Sequence, residues 1–416
     1  MQEHKNTKIY LSLPVLDEIE ALPVVVECIR KQSYSNFVLY ACVNQPDAWW
    51  QIEDKMQVCL NNMKAMEFLK DITDFNVKII DNCSEGKGWK ADKLGVGWAR
   101  KTIMDEISKN ASADDIILSL DADLSFEENY FQSVVDNLYC HPDASALSVP
   151  YYHRLTGKDD ADRAVLRYEI YMRNYALNLL YTGNPYSFTA LGSAMALPVN
   201  AYRKIGGMSP KKSGEDFYFL QQLRKTGEVI QWNKEKVYPA ARFSDRVFFG
   251  TGPAMIKGNT GDWTSYPVYH YSLFLKIKET CDLFPVLFSE DIETPMSDFL
   301  YEQFRTTDIW QPLRNNFKTR WHFIKACHEK IDGLRIHQFL KSEQKKINIT
   351  DEQCLNDNFA FIIPDRQKLI SEMLSVAETL SKLSVQQLNT IRNILAEEEE
   401  KYRLTLYQNI KTNNRQ

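Results

Sequence analysis

Through the first 150 residues, short runs of bulky apolar residues alternate with longer stretches in which apolar positions recur at helical spacing. KIYLSLP (8–14), FVLYACV (37–43), VKIID (77–81), IILSL (116–120) and ASALSVPYY (144–152) have the length and apolar density of buried strands. Between them, EALPVVVECIRKQ (20–32) and residues 52–70, 90–109 and about 127–139 have the period of amphipathic helices. Apolar strands separated by helix-length segments predict a Rossmann-like, mostly parallel sheet covered by helices, an α/β fold. Ligands of such sheets bind at the carboxyl ends of the strands.

Beyond residue 155 the pattern changes. Residues 159–181 predict a long, aromatic-rich helix, and FTALGSAMALP (188–198) one or two strands. SGEDFYFLQQLRKTG (213–227) predicts a helix with Ser before it and Gly after it. Residues 229–245 are strand-like and then loose, and from about 270 to 416 the pattern is mostly helical. Residues 368–404 have the period of one or two amphipathic helices, with EEEEK as a solvated face. The expected organisation is an α/β domain over 1–270 and a mainly α-helical domain over 271–416.

Composition narrows the function classes. The chain has 416 residues, 44% of them hydrophobic, enough for two packed cores. A net charge of -5 gives no bulk attraction to nucleic acid, so none is expected as a partner. There is no run of about 18 apolar residues to span a membrane. MQEHKNTKIYLSLP lacks the apolar core and cleavage site of a secretory signal. Eight scattered cysteines without a CxxC pair predict reduced thiols in a cytoplasmic protein, not a disulfide framework or a zinc site.

One predicted strand ends in charge. In IILSLDADLS (116–125), Asp121 and Asp123 stand one residue apart where the topology puts a ligand site. Two carboxylates this close raise each other's proton affinity unless a cation joins them. Mg²⁺ or Mn²⁺ would do so and would also hold substrate phosphates. A solvated loop in which Asp123 caps the next helix is the alternative. SGED (213–216) supplies a second acidic pair at a helix start, RFSDR (242–246) supplies two arginines, and LSLPVLDE (11–18) ends the first strand in Pro, Asp and Glu.

PVLDE, then DAD, then GED opening a helix: in this order the motifs resemble family 2 glycosyltransferases of the GT-A fold, bacterial type. The resemblance covers about residues 6–260. It implies Asp123 as a metal ligand to a nucleoside diphosphate-sugar donor, with Asp121 near the ribose or the metal. It implies Pro14, Asp17 and Glu18 at the nucleoside end, and Asp216 as catalytic base with Glu215 beside it. Two positions depart from the family pattern. Asn44-Gln45 ends the second strand where an acidic residue usually reads the base. Lys93, in GKGWKADKLGVGWA (86–99), stands where Asn is common in a helix near the nucleoside. The QxxRW motif and membrane spans of processive synthases are missing, which implies single transfer.

Other features keep two readings. Ser213 and Asp216 also fit a capping box. Arg242 and Arg246 are either surface charges or partners of the departing diphosphate. His270 is either a further metal ligand or structural, as is His153, and the aromatic helix is core or sugar platform. The basic stretch 317–346, with Trp321 and Phe323 among its charges, is a solvated helix or a peripheral contact with the inner membrane surface, facing a lipid-linked acceptor. The expected function is metal-dependent, inverting transfer of a sugar to a hydroxyl of a glycan, a lipid-linked or a small-molecule acceptor. The competing readings are a nucleotidyltransferase and a nucleotide-sugar-binding protein without turnover.

Overall fold

The structure, a computed structural model, describes residues 7–90, 93, 95–211, 214–245, 250–377 and 379–413, with side chains up to residue 410. Nine strands are described: β1 (Ile9–Val15), β2 (Phe37–Asn44), β3 (Val77–Asn82), β4 (Ile116–Ser119), β5 (Leu124–Phe126), β6 (Ala144–Ser148), β7 (Met195–Pro198), β8 (Glu228–Ile230) and β9 (Val237–Pro239). Seven form one sheet in the order β3-β2-β1-β4-β7-β6-β8, and β5 pairs with β9 in a second, two-stranded sheet. In the large sheet β7 alone runs antiparallel to its neighbours. The fold is the expected α/β class: a mostly parallel sheet covered by helices, followed by a mainly α-helical C-terminal region.

The elements follow from the apolar pattern. Every residue of β1, β4 and β6 is buried, as a sheet covered on both faces requires. β3, an edge strand carrying Lys78, is only half-buried. The helices along this part of the chain are α1 (Leu22–Arg30), α2 (Met56–Lys70), α3 (Val96–Asn110), α4 (Tyr130–Cys140), α5 (Asp159–Tyr181), α6 (Val199–Lys204), α7 (Glu215–Thr226) and α8 (Thr251–Asn259); of these α1, α2, α3, α4, α6 and α7 pack on the strands. The predicted helix over 90–109 starts six residues late, because Gly95 has a φ of 102° that no right-handed helix contains. Residues 47–55 form short 3₁₀ turns before α2. The segment 188–198 yields one strand, β7. β5 and α6 were not expected; three and six residues are too few to show a period.

The chain divides into two compact units. The first contains 1–165, 189–259 and 404–416; the second contains 166–188 and 260–403. In the first, Tyr407 near the chain's end packs against Trp232 and His141, with ring centres 4.6 and 4.7 Å away. In the second, the aromatic residues of α5 pack as core: Tyr168 and Tyr171 meet Tyr266, and Tyr171 and Tyr175 meet Tyr269. A buried ionic network lies in the same unit. Glu169 binds Arg173 and, at 3.0 Å, Arg392; Glu399 binds Arg173 and Arg403. All five side chains are at most 5% exposed, and each carboxylate has two guanidinium partners, which such deep burial of charge demands. Among the described residues no helix is long and apolar enough to cross a membrane, and all eight cysteines are free thiols.

Candidate active site

The strand-end aspartates owe their exposure to a tight turn. Leu120 N–H continues the sheet by donating to Ser12 O at 2.9 Å, and Leu124 N–H then folds back to Asp121 O at 3.2 Å. Ala122 and Leu124 go into the core, at 2% and 0% exposure. Asp121 and Asp123, two apart, therefore stay on the outer side, partly exposed. Pro14 fits this edge. Its missing N–H would point the same way as Ser12, toward β4, but β4 has already ended there.

Each aspartate faces an arginine. Asp123 accepts from Arg242 at 2.9 Å (Nε) and 2.7 Å (Nη2), and the same Nη2 donates to Glu18 at 2.5 Å. Arg242 arrives three residues after β9, whose pairing with β5 (Leu124↔Pro239) carries that segment to the turn. Glu18 follows β1, and its carbonyl accepts the N–H groups of Ala21 and Leu22 at the start of α1. Asp121 accepts from Arg100 Nη2 at 2.5 Å, and Arg100 Nη1 pairs with Glu215 at the first position of α7. Arg100 and Glu215 are each 3% exposed. The flat guanidinium lies against Gly192, where a Cβ would come within 2.3 Å of it.

Asp216 follows Glu215 at the positive end of α7 and accepts the N–H of Phe217 at 2.8 Å. Burial and the neighbouring Glu215 and Asp121 charges push its carboxyl up to about 7; Arg100 and the Phe217 amide oppose them. Ser213, the other half of the suggested capping box, lies outside the described residues; the residue before the helix, Gly214, has a φ of 68°.

This raised proton affinity couples to folding. Between pH 4 and pH 7 the native chain holds a proton on Asp216 that the unfolded chain releases. Its stabilising contribution is complete below the ordinary carboxylate pKa and is lost as pH rises through about 7. Urea unfolding of the metal-free protein is expected to show stability falling as pH rises across that window. Asp216→Asn removes the slope; an unchanged slope in that variant refutes the assignment.

The remaining expected residues have other partners. Asp17 adopts a φ of 56°, rare for a side chain other than Gly; its N–H donates to Asn62 and its carboxylate accepts from Asn61. Asn44 donates to Val15 O and Cys42 O and accepts from Trp89 Nε1, bracing the ends of β1 and β2. Lys93 is exposed, with its ammonium 5.1 Å from the centre of the Trp98 ring. His153 is buried, its ring edge against Tyr151. His270 belongs to the second unit, where Nδ1 accepts from Ser272 N–H and Nε2 lies 3.4 Å from Asp357. Arg246 lies outside the described residues.

The sequence reading missed Arg100 and Gly192. A signal for Arg100 exists: with Gly97, Ile103, Met104 and Ile107 it lies on the buried stripe of α3, where an arginine needs a carboxylate partner. Gly192 carries no such signal.

Five carboxylates (Glu18, Asp121, Asp123, Glu215, Asp216) thus gather around two guanidinium groups at the C-terminal edge of the sheet. That excess of negative charge suits a divalent cation, and the donors are hard oxygens. Among the described residues no group of three or more His, Cys, Asp or Glu encloses a metal by itself. One or two carboxylates plus substrate phosphates suffice for Mg²⁺ or Mn²⁺, so the residues present fit a cation that arrives with a diphosphate.

No protein-family model matches the sequence, and no curated protein sequence does. Among solved structures, the chain is similar to Staphylococcus aureus TarS residues 1–349 in complex with UDP-GlcNAc: 11% identity, TM-score 0.39, 96% of this chain and 92% of that one. It is also similar to the mannosyltransferase PcManGT from Pyrobaculum calidifontis in complex with GDP-Man and Mn²⁺: 13% identity, TM-score 0.32, 90% and 89% covered.

Proposed function

We propose that the chain is a glycosyltransferase that moves one sugar from a nucleoside diphosphate donor to an acceptor hydroxyl, with inversion at the anomeric carbon. The observation that carries this reading is Asp216: a carboxylate with proton affinity near neutral, at a helix start, in one cluster with the strand-end aspartates. The acceptor oxygen attacks the anomeric carbon, its proton passes to Asp216, and the bond to the diphosphate breaks with the electron pair leaving on the diphosphate. Arg242 faces the departing charge and neutralises it. Arg100 holds Asp121 and Glu215 in place from beneath. A divalent cation, Mn²⁺ or Mg²⁺, when bound, would be held by Asp123 with Asp121 beside it, and supplies further neutralisation of the leaving diphosphate.

Thermal unfolding with nucleoside diphosphates, with and without Mn²⁺, tests the donor site. Ligand binding raises apparent stability, so a metal-dependent rise in Tm is expected, and Asp123→Asn should fold normally and lose it. A rise that survives Asp123→Asn unaltered removes Asp123 as the metal ligand. Slow, metal-dependent hydrolysis of a nucleotide-sugar by the purified chain separates an enzyme from a binding protein without turnover.

A further inference from the structure

The basic stretch 317–346 takes no part in this chemistry. It folds as two helices of the second unit, Arg320–Lys330 and Gly333–Gln344. The first begins at Thr319, whose hydroxyl accepts from His322 N–H. Its inner side is fixed by Phe323, Ala326 and Cys327, all buried. Its outer side carries Trp321, which is 66% exposed. Phe323 and Trp321, similar in the sequence, thus have opposite fates, and the buried one holds the other outward.

The cations around Trp321 are short of partners. Lys318 and Arg320 are exposed and have no carboxylate within ion-pair range among the described residues; Lys325 reaches only Glu329, at 3.8 Å. The Lys325 ammonium lies 5.9 Å from the centre of the Trp321 ring. Further along, Lys330 and Arg335 lie over the Phe304 ring at 4.4 and 5.4 Å. From Arg305 to Arg335 there are seven Lys or Arg against three acids, in a chain whose net charge is -5. A solvated helix needs neither this local surplus nor an indole left in water. Indole rings and the tips of Lys and Arg together suit the boundary between lipid headgroups and acyl chains.

We propose that this end of helix 320–330 docks the protein on an anionic lipid surface, with Trp321 entering the headgroup boundary and Lys318, Arg320 and Lys325 meeting lipid phosphates. The proposal is independent of the sugar-transfer reading, and its test uses no substrate. Each such cation contributes about five-fold to binding, so the triple change Lys318→Ala, Arg320→Ala, Lys325→Ala should weaken binding by about 10²-fold. The full chain is mixed with vesicles of phosphatidylcholine alone or with added phosphatidylglycerol and sedimented at low and high salt. Expected is retention on the anionic vesicles at low salt, release at high salt, and none on phosphatidylcholine. Lipids with brominated chains should quench wild-type tryptophan emission more than that of Trp321→Ala. Absence of low-salt binding, equal binding to both vesicle types, or equal quenching of Trp321→Ala overturns the proposal. So does binding of inorganic polyphosphate without vesicle binding, which makes the ligand a soluble polyanion. Self-association without vesicles that Trp321→Ala abolishes also overturns it, and makes the occupant a second copy.

Discussion

Asp216→Asn is expected to retain nucleotide and metal binding and to lower sugar transfer by about 10²–10⁴-fold, the usual share of general-base catalysis. Asparagine keeps the size of the side chain and an oxygen for the Phe217 amide, and removes only proton acceptance. In the proposed reaction donor contacts belong to Asp121, Asp123 and Arg242, so they should persist. Stability separates this role from helix capping. If Asp216 serves mainly as a cap, the substitution lowers stability by about 1 kcal/mol or less and leaves turnover largely intact. If it is a carboxylate crowded by Glu215 and Asp121, removing its charge near neutral pH relieves repulsion, and Tm stays level or rises. Melting temperature and transfer rate on one preparation decide the matter. Near-normal transfer by a folded Asp216→Asn protein takes Asp216 out of the mechanism. Glu215 is then the next candidate, although its oxygen is already bound to Arg100.

Arg100→Met is expected to destabilise the protein by about 3–5 kcal/mol, the cost of leaving a buried carboxylate unpaired. Glu215 has almost no solvent to turn to, and Asp121 and Asp216 add their charge to the same space. Arg100→Lys should recover only part of the loss, because one ammonium cannot present the two-pronged donor that reaches Asp121 and Glu215 together. Gly192→Ala supplies an independent route to the same defect. Its methyl would collide with the guanidinium and push it from both carboxylates. Combining Arg100→Met with Glu215→Gln should restore much of the stability, since the uncompensated charge is gone. Urea unfolding measures all four variants. An Arg100→Met protein as stable as the wild type would show that the guanidinium is not what holds these acids.

The sheet was readable because its strands are continuous apolar runs, and burial on both faces leaves the chain little other choice. The turn at Asp121 and Asp123 was readable because charge placed directly after such a run requires a reason. What escaped was built by pairing across distance. Arg242 meets Glu18, 224 residues earlier, only because three residues of β9 pair with three of β5, too few to announce themselves. Gly192 matters through the guanidinium laid on it, and a glycine in GSAMALP carries no mark of that. Arg100 was legible in principle, as a charge on an apolar stripe, but its two partners come from the turn after β4 and from α7, and no local pattern names them.

The buried network of the second unit bears on the order in which the chain matures. Glu169 and Arg173 are four residues apart and meet as soon as their helix forms, whereas Arg392 lies 223 residues further on. At about 5–20 residues per second, a ribosome needs on the order of 10–40 s to add that length. Throughout this interval the Glu169 carboxylate lacks its Arg392 partner, so the second unit reaches its native state only after the chain has been translated beyond Arg392.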